Sequence, residues 1–262
     1  MNSAIDISTL NLALSYLLLI LPLGIFLWFK VPILGDTAIA ILRMTVQLLF
    51  VGFYLDVVFT LDHALLNGAW IFIMIVVADL SILRGSRLSL RRYAVPIFLS
   101  LVVGTCLPLF TFMGPVLARP SLMEARYLIP LGGMILGNCL RADIIGIRHF
   151  FESLQKGERT YLLTLSQGAR LSEALRPYLR DALQAALAPT VATMATIGLV
   201  SLPGMMTGVI LGGTDPMVAI KYQIAIMIAI FTGTALTVFL ALLLARPKAF
   251  TPYGTLDPDA LR

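Results

Sequence analysis

Stretches of about 20 mainly apolar residues, parted by clusters of charge, recur along this chain and limit what it can fold into. A helix rises 1.5 Å per residue, so a stretch of that length spans the hydrocarbon core of a bilayer. Seven such windows cover residues 11 to 29, 33 to 55, 63 to 83, 93 to 113, 125 to 147, 184 to 204 and 218 to 245. The second and fifth carry internal charge, and a count of six would drop the second. Backbone groups inside lipid must be satisfied within their own segment, which windows this long achieve as helices. The expected fold is therefore all-α, a polytopic membrane protein with about seven transmembrane helices, and residues 1–262 read as a single transmembrane domain. Composition agrees, since only 13% of residues are charged, against about 25% in soluble domains.

Charge sets the expected orientation. Basic residues gather on the cytoplasmic side of membrane proteins. With the N-terminus outside and the C-terminus cytoplasmic, the inner segments hold Lys30; Arg84, Arg87, Arg91 and Arg92; Arg148, Lys156, Arg159, Arg170, Arg176 and Arg180; and Arg246, Lys248 and Arg262. The outer segments hold only Arg119, Arg126 and Lys221, beside Asp6, Asp56, Asp62, Glu124 and Asp215. The net charge of +5 then reports topology and attraction to anionic lipid, and no nucleic-acid partner is expected. The location expected is an inner membrane, crossed several times.

No Walker A pattern, dinucleotide fingerprint, H-E-x-x-H or G-x-S-x-G occurs. The chain is thus expected to be no enzyme, to carry no catalytic residues and to bind no cofactor of its own. His63 and His149 fall at opposite membrane faces and read as interfacial residues. Cys106 and Cys139 lie on different helices without a second cysteine at ligand spacing, so neither a disulfide nor a thiolate metal pair is expected.

The largest non-spanning piece, residues 148–184, reads as a cytoplasmic amphipathic segment. Gly168 is placed to end one helix in a left-handed conformation, Ser172 and Glu173 to cap the next, and Pro177 to open or kink a further one. Leu171, Leu175, Leu179, Leu183 and Leu187 recur every fourth residue as an apolar stripe, with Arg170, Glu173, Arg176, Arg180 and Asp181 largely off it. One reading is a helix lying on the inner leaflet. The other is a coupling element for a separate ATPase, carried by Gly168, Ser172, Glu173, Leu175, Arg176 and Pro177.

The run VSLPGMMTGVILGGTDP, residues 200 to 216, is too apolar for a solvated loop and too short to cross. Leu202-Pro203-Gly204-Met205 has proline and glycine where a type II turn wants them, and Asp215-Pro216 supplies an N-cap and a first helical residue. The segment is expected to fold back at the outer face as a gate or cavity wall, or as a static hairpin, built from Pro203, Gly204, Met205, Met206, Gly208, Gly212, Gly213 and Asp215. Met205 and Met206 offer soft sulfur, although packing is their commoner role.

Charged groups within spans must face protein or water. Asp36, Arg43, Gln47, Asp79, Asn138, Arg141 and Asp143 are the candidates, either as ion pairs of Arg43 or Arg141 with Asp79 or Asp143, or as a substrate path. Thr190, Thr193 and Thr196 add a modest polar line. No cluster of side chains has the spacing that demands a metal.

Four blocks resemble the FetB-type permease family of ABC transporters, described as iron exporters, with plant relatives associated with aluminium tolerance. They are RMTVQLLFVGFYL (43 to 55), YLIPLGGMILGN (127 to 138), LSQGARLSEALRPYLRDALQAALAPT (165 to 190) and GLVSLPGMMTGVILGGTDPMVAIKYQI (198 to 224). The resemblance implies a permease homodimer that exports iron or another metal with two copies of a separately encoded ABC ATPase, so that ATP acts through the partner. The turn at Gly168 is similar to the glycine-centred loop of ABC importers, but the alanine and leucine-proline of that pattern do not recur. The run Cys139-Leu140-Arg141-Ala142-Asp143 departs from the family's small and amide residues. The alternatives are an ion-gradient transporter or channel with Arg43, Asp79 and Asp143 as relay, and a scaffold that recruits a soluble partner.

Overall fold

The structure is a computed structural model that describes residues 7–118, 121–251 and 253–257. Asp6, Arg119 and Arg262, counted above, lie outside the described residues. All named elements among them are helices: α1 (Thr9–Ser15), α2 (Ile20–Trp28), α3 (Leu34–Leu61), α4 (Ala64–Gly85), α5 (Leu90–Thr111), α6 (Ala125–Lys156), α7 (Glu158–Ser166), α8 (Leu171–Thr196), α9 (Gly204–Leu211) and α10 (Pro216–Ala249). A 3-10 stretch, Tyr16–Leu19, joins α1 to α2, and a π turn, Phe112–Val116, extends α5.

Among the described residues, six segments are long and apolar enough to cross a membrane: Thr9–Trp28, Leu34–Leu61, Ala64–Gly85, Leu90–Val116, Ala125–Lys156 and Pro216–Ala249. The window expected at residues 184 to 204 is corrected. Its first part belongs to α8, which begins at Leu171, and the chain leaves the helix after Thr196. Glu173, Arg176, Arg180 and Asp181 in its first turns lower the apolarity of α8, although it runs through the bundle beside α6 and α10.

Contacts give the helix directions. Tyr178 of α8 donates to the Gly157 carbonyl after α6, while Gly146 of α6 sits against Ala186 of α8 and Val238 of α10. Thus α8 runs antiparallel to α6. Thr237 bonds Asp143, which sets α10 parallel to α6. Tyr93 donates to the Lys248 carbonyl and Gly104 meets Thr237, so α5 opposes α10. The ends of α4, α6 and α10 and the starts of α5 and α8 therefore share one end of the bundle. That end carries Arg84, Arg87, Arg91, Arg92, Lys156, Arg159, Arg170, Arg176, Arg180, Arg246 and Lys248.

The core lies among α4, α5, α6, α8 and α10, with Ile82, Leu101, Ile135, Phe150, Leu175 and Val238 in one buried cluster. By contrast α1 and α2 bury no residue, and α3 buries only Val58. α3 is held at its last turns, where Val58 packs with Ala125 and Ile129 and Tyr54 stacks on Trp70 at 4.0 Å between centroids.

A polar staple fixes that corner. Asp62, left-handed at φ 36°, accepts from the Ala125 amide at 2.8 Å and from Asn67 Nδ2 at 3.0 Å. Asn67 Nδ2 also donates to the Met123 carbonyl at 2.7 Å. The first amide of α6 is thereby satisfied by a residue distant in sequence. Asn67→Ala should cost about 2 kcal/mol, because two bonds to a buried amide are lost. Asn67→Asp should cost more, since it sets an acceptor against two acceptors. Thermal unfolding of both variants in detergent checks the order.

Gly168 is left-handed, at φ 91°, as its position requires. Its amide bonds the Leu165 carbonyl and the Ala169 amide the Thr164 carbonyl, the pair of bonds that closes a helix C-terminus at such a glycine. The cap of α8 differs from expectation. Arg170 is the N-cap residue and its amide donates to Glu173 Oε2 at 2.8 Å, whereas Ser172 lies inside the first turn. Pro177 neither opens a new helix nor ends one. α8 continues through it because the carbonyl it leaves free, that of Glu173, is on the exposed first turn.

The type II turn at Leu202-Pro203-Gly204-Met205 is also corrected. Gly198 takes the left-handed conformation, at φ 86°, and its amide reaches the Ser201 carbonyl at 2.9 Å. Reversal is complete before Pro203, which serves as N-cap to α9, with the Thr207 amide on its carbonyl at 3.0 Å. At the far side Asp215 caps α10 as expected, accepting from the Met217 amide at 2.7 Å, with Pro216 in the first turn.

Candidate functional site

A cavity of about 520 Å³ opens between α6, α8 and α10. α6 contributes Met134, Asn138 and Arg141, and α8 contributes Pro189, Thr190, Thr193 and, just beyond its end, Ile197. Ser201, Pro203, Gly204 and Met205 form the remaining wall with Gln223 and Met227 of α10. Residues far apart in sequence are thus joined: the proline-glycine segment meets the amide and arginine of α6. Asn138 Nδ2 is tied to the Met134 carbonyl at 2.8 Å, and the Thr193 hydroxyl to the Pro189 carbonyl at 2.9 Å.

α9 divides this cavity from a second one of about 290 Å³, lined by Tyr127, Met205, Met206, Val209, Thr214 and Gln223 among others. Met205, Gln223 and Ile226 face both. Gly204 and Gly208 have open space where a Cβ would stand. Gly212 would meet only carbonyls of its own helix and Gly213, at φ 88°, ends that helix. Of the eight residues expected in a gate or wall, Pro203, Gly204, Met205 and Met206 line a cavity, whereas Gly208, Gly212, Gly213 and Asp215 shape α9 and cap α10.

The expected intramembrane ion pairs do not form. Among the described residues the ion pair present joins Arg92 to Asp257, at the basic end. Arg141 and Asp143, two residues apart, point about 160° from each other around α6. Arg141 lines the cavity, while Asp143 is 0% exposed and takes Thr237 Oγ1 on Oδ2 at 2.8 Å. Among the described residues its Oδ1 has no partner, nor do Asp79 Oδ1 and Thr105 Oγ1. Arg43 and Gln47 line a separate groove of about 670 Å³ between α3, α4 and α6, with Trp70, Met74 and Gly137. Asp36 is exposed on the first turn of α3. The relay of Arg43, Asp79 and Asp143 is therefore dispersed over different helix contacts. Thr237 gave no local signal, lying 94 residues from its carboxylate partner. Gln223, an amide in the apolar run 218 to 245, lines both cavities.

At the basic end, Glu173, Arg176, Pro177, Arg180 and Asp181 form an open charged depression on α8. Leu175 is fully buried beneath it, and Leu171, Leu179 and Leu183 pack on the core. Four of the five stripe leucines thus face protein, which argues against a helix lying free on the leaflet. Tyr161 of α7 donates to the Gly254 carbonyl at 2.5 Å. Burial pushes its hydroxyl up to about 12, with Tyr178 adding to the shift.

Helices of this length and apolarity, packed around a polar-lined cavity, define a multi-pass membrane protein. Residues 9–250 match the family described as "Uncharacterised protein family (UPF0014)", and the chain belongs to it. It is 31% identical over 255 residues to the "Probable iron export permease protein FetB" of Escherichia coli, covering 95% of each chain. It is 28% identical over 251 residues to the "UPF0014 membrane protein YjkA" of Bacillus subtilis, covering 95% of this chain and 98% of the relative. The plant "Protein ALUMINUM SENSITIVE 3" of Arabidopsis thaliana is 28% identical over 221 residues, 83% of this chain and 78% of the relative. No solved structure matches the chain.

Proposed function

We propose that this chain is the permease subunit of an ABC transporter in the inner membrane, exporting iron or another metal while a separate ATPase hydrolyses ATP. The observation that carries this reading is the continuity of α8. Its first turns hold the exposed depression of Glu173, Arg176, Pro177, Arg180 and Asp181, and its last turns hold Pro189, Thr190 and Thr193 on the cavity wall. A push on the first part is transmitted by an unbroken helix to the second. The basic end is then cytoplasmic, the N-terminus outside, and α8 the sixth of seven crossings. The Gly168 turn, Ser172, Glu173, Arg176 and Pro177 would meet the ATPase, with Leu175 supporting them from below. Export of iron is taken from the printed name of the Escherichia coli relative.

In this reading a second copy of the chain would cover the exposed length of α3, where Arg43 needs protein or water at membrane depth. Reversing Arg176 and Arg180 to Glu together should weaken capture of the ATPase about tenfold, or about 1.4 kcal/mol, and lower nucleotide-dependent uptake into inverted vesicles in step. Both side chains are exposed, so the fold should survive. Uptake that needs no nucleotide and follows a proton gradient would overturn the proposal.

A further inference from the structure

We infer that the solute received by the cavity between α6, α8 and α10 is an anion bearing carboxylate or phosphate oxygens, so that a metal would leave as a negatively charged chelate. This rests on the permease reading above and specifies its cargo.

Arg141 is the sole charged side chain among the described residues that line this cavity. It stands at the middle of α6, between Ala125 and Lys156, where a guanidinium in a membrane requires a partner or water. Among the described residues no carboxylate pairs with it. Asp143, the nearest acid in sequence, is turned into the core and engaged by Thr237. Amides and hydroxyls of Asn138, Gln223, Thr190, Thr193 and Ser201 surround the cavity, and no aspartate, glutamate, cysteine or histidine is among its described lining residues.

That set fits a bare divalent cation poorly. Hard cations take carboxylate and carbonyl oxygens, and softer ones take thiolate, thioether or imidazole; the thioethers of Met134, Met205 and Met227 on this wall suit a soft monovalent ion such as Cu(I) and not ferrous ion. Here the fixed charge is positive and repels them. A guanidinium instead presents a planar fork of donors that matches carboxylate or phosphate in pairs, and it holds that charge at any physiological pH. Gln223, Thr190, Ser201 and the second Nδ2 hydrogen of Asn138 can donate to the remaining oxygens, while the Thr193 hydroxyl already donates to the Pro189 carbonyl. A volume of about 520 Å³ lies within the range of small-molecule sites, about 300–1,000 Å³.

The test uses the full chain in lipid nanodiscs and calorimetric titration with citrate, ferric citrate, inorganic phosphate and, under anaerobic conditions without chelator, ferrous ion. Saturable binding of an anion is expected, weakened about tenfold or more by Arg141→Gln and less by Arg141→Lys, which keeps the charge but not the fork. Competition between citrate and phosphate separates the carboxylate from the phosphate class. As a readout with Arg141 intact, Ser201→Cys should label with a charged thiol reagent, above the background of the parent chain, and anion should slow that labelling. Saturable ferrous binding that survives Arg141→Gln, or absence of both anion binding and protection at Ser201→Cys, overturns the inference. Nucleotide-driven export of bare ferrous ion with no anion requirement would also overturn it while leaving the ATPase reading in place. Anion binding without ATPase capture would do the reverse.

Discussion

Gly233→Val should be the most damaging single substitution in the bundle. A Cβ at Gly233 would stand 2.6 Å from the Gly104 carbonyl oxygen, 2.9 Å from Ile135 Cγ2 and 3.4 Å from Cys139 Sγ. The first of these is backbone and cannot rotate aside. From the opposite side, a Cβ at Gly104 would meet Thr237 Cβ at 2.7 Å and the Gly233 carbonyl at 3.0 Å. Helices α5 and α10 approach at these glycines as small residues allow in membranes, and any side chain must force them apart. Overpacking a core costs about 1–3 kcal/mol, and a clash with backbone belongs at the top of that range. The displacement would also reach Thr237 and its bond to Asp143. Gly137→Ala is the control, because a Cβ there meets nothing within 4 Å and alanine favours helix by about 1 kcal/mol. Unfolding in detergent should show a large loss for the first variant and none for the second.

Gly204→Leu should separate fold from transport. The glycine opens α9 at the mouth of the cavity, and a Cβ there meets nothing within 4 Å. Leucine is therefore accommodated without strain, yet it adds a branched side chain to the cavity wall that Gly204 shares with Arg141 and Gln223. On the permease reading proposed above, the variant should fold, capture the ATPase and lose nucleotide-dependent transport about tenfold or more, equivalent to about 1.4 kcal/mol on the barrier. Gly212→Leu is the comparison, since Gly212 contacts only its own helix and lines neither cavity beside α9. It should transport nearly as the parent does. Equal transport by Gly204→Leu and the parent in inverted vesicles would remove α9 from the path.

Local rules carried far into this chain. The spans came from apolar run length, the turn at Gly168 from a glycine placed to end α7, and the start of α10 from Asp215-Pro216, because each depends on a few neighbouring residues. The rule failed at Leu202-Pro203-Gly204-Met205, where two conformations of proline and glycine compete. Helix α9 prevailed because Gly198 had already turned the chain. It failed again where charge was assumed to seek charge. Arg141 and Asp143 are neighbours in sequence but face different helices, so neither can meet the other.

By itself the sequence determined that the chain is a set of lipid-length helices with its basic residues collected between alternate spans, since length, apolarity and charge are properties of each segment alone. The tertiary structure alone decided that α8 joins a charged surface to a cavity wall, that Asp62 and Asn67 secure the start of α6, and that Arg141 opens into space while Asp143 is enclosed. Those outcomes depend on which faces of distant helices come together, and a residue's direction around a helix has meaning only once its neighbours are in place.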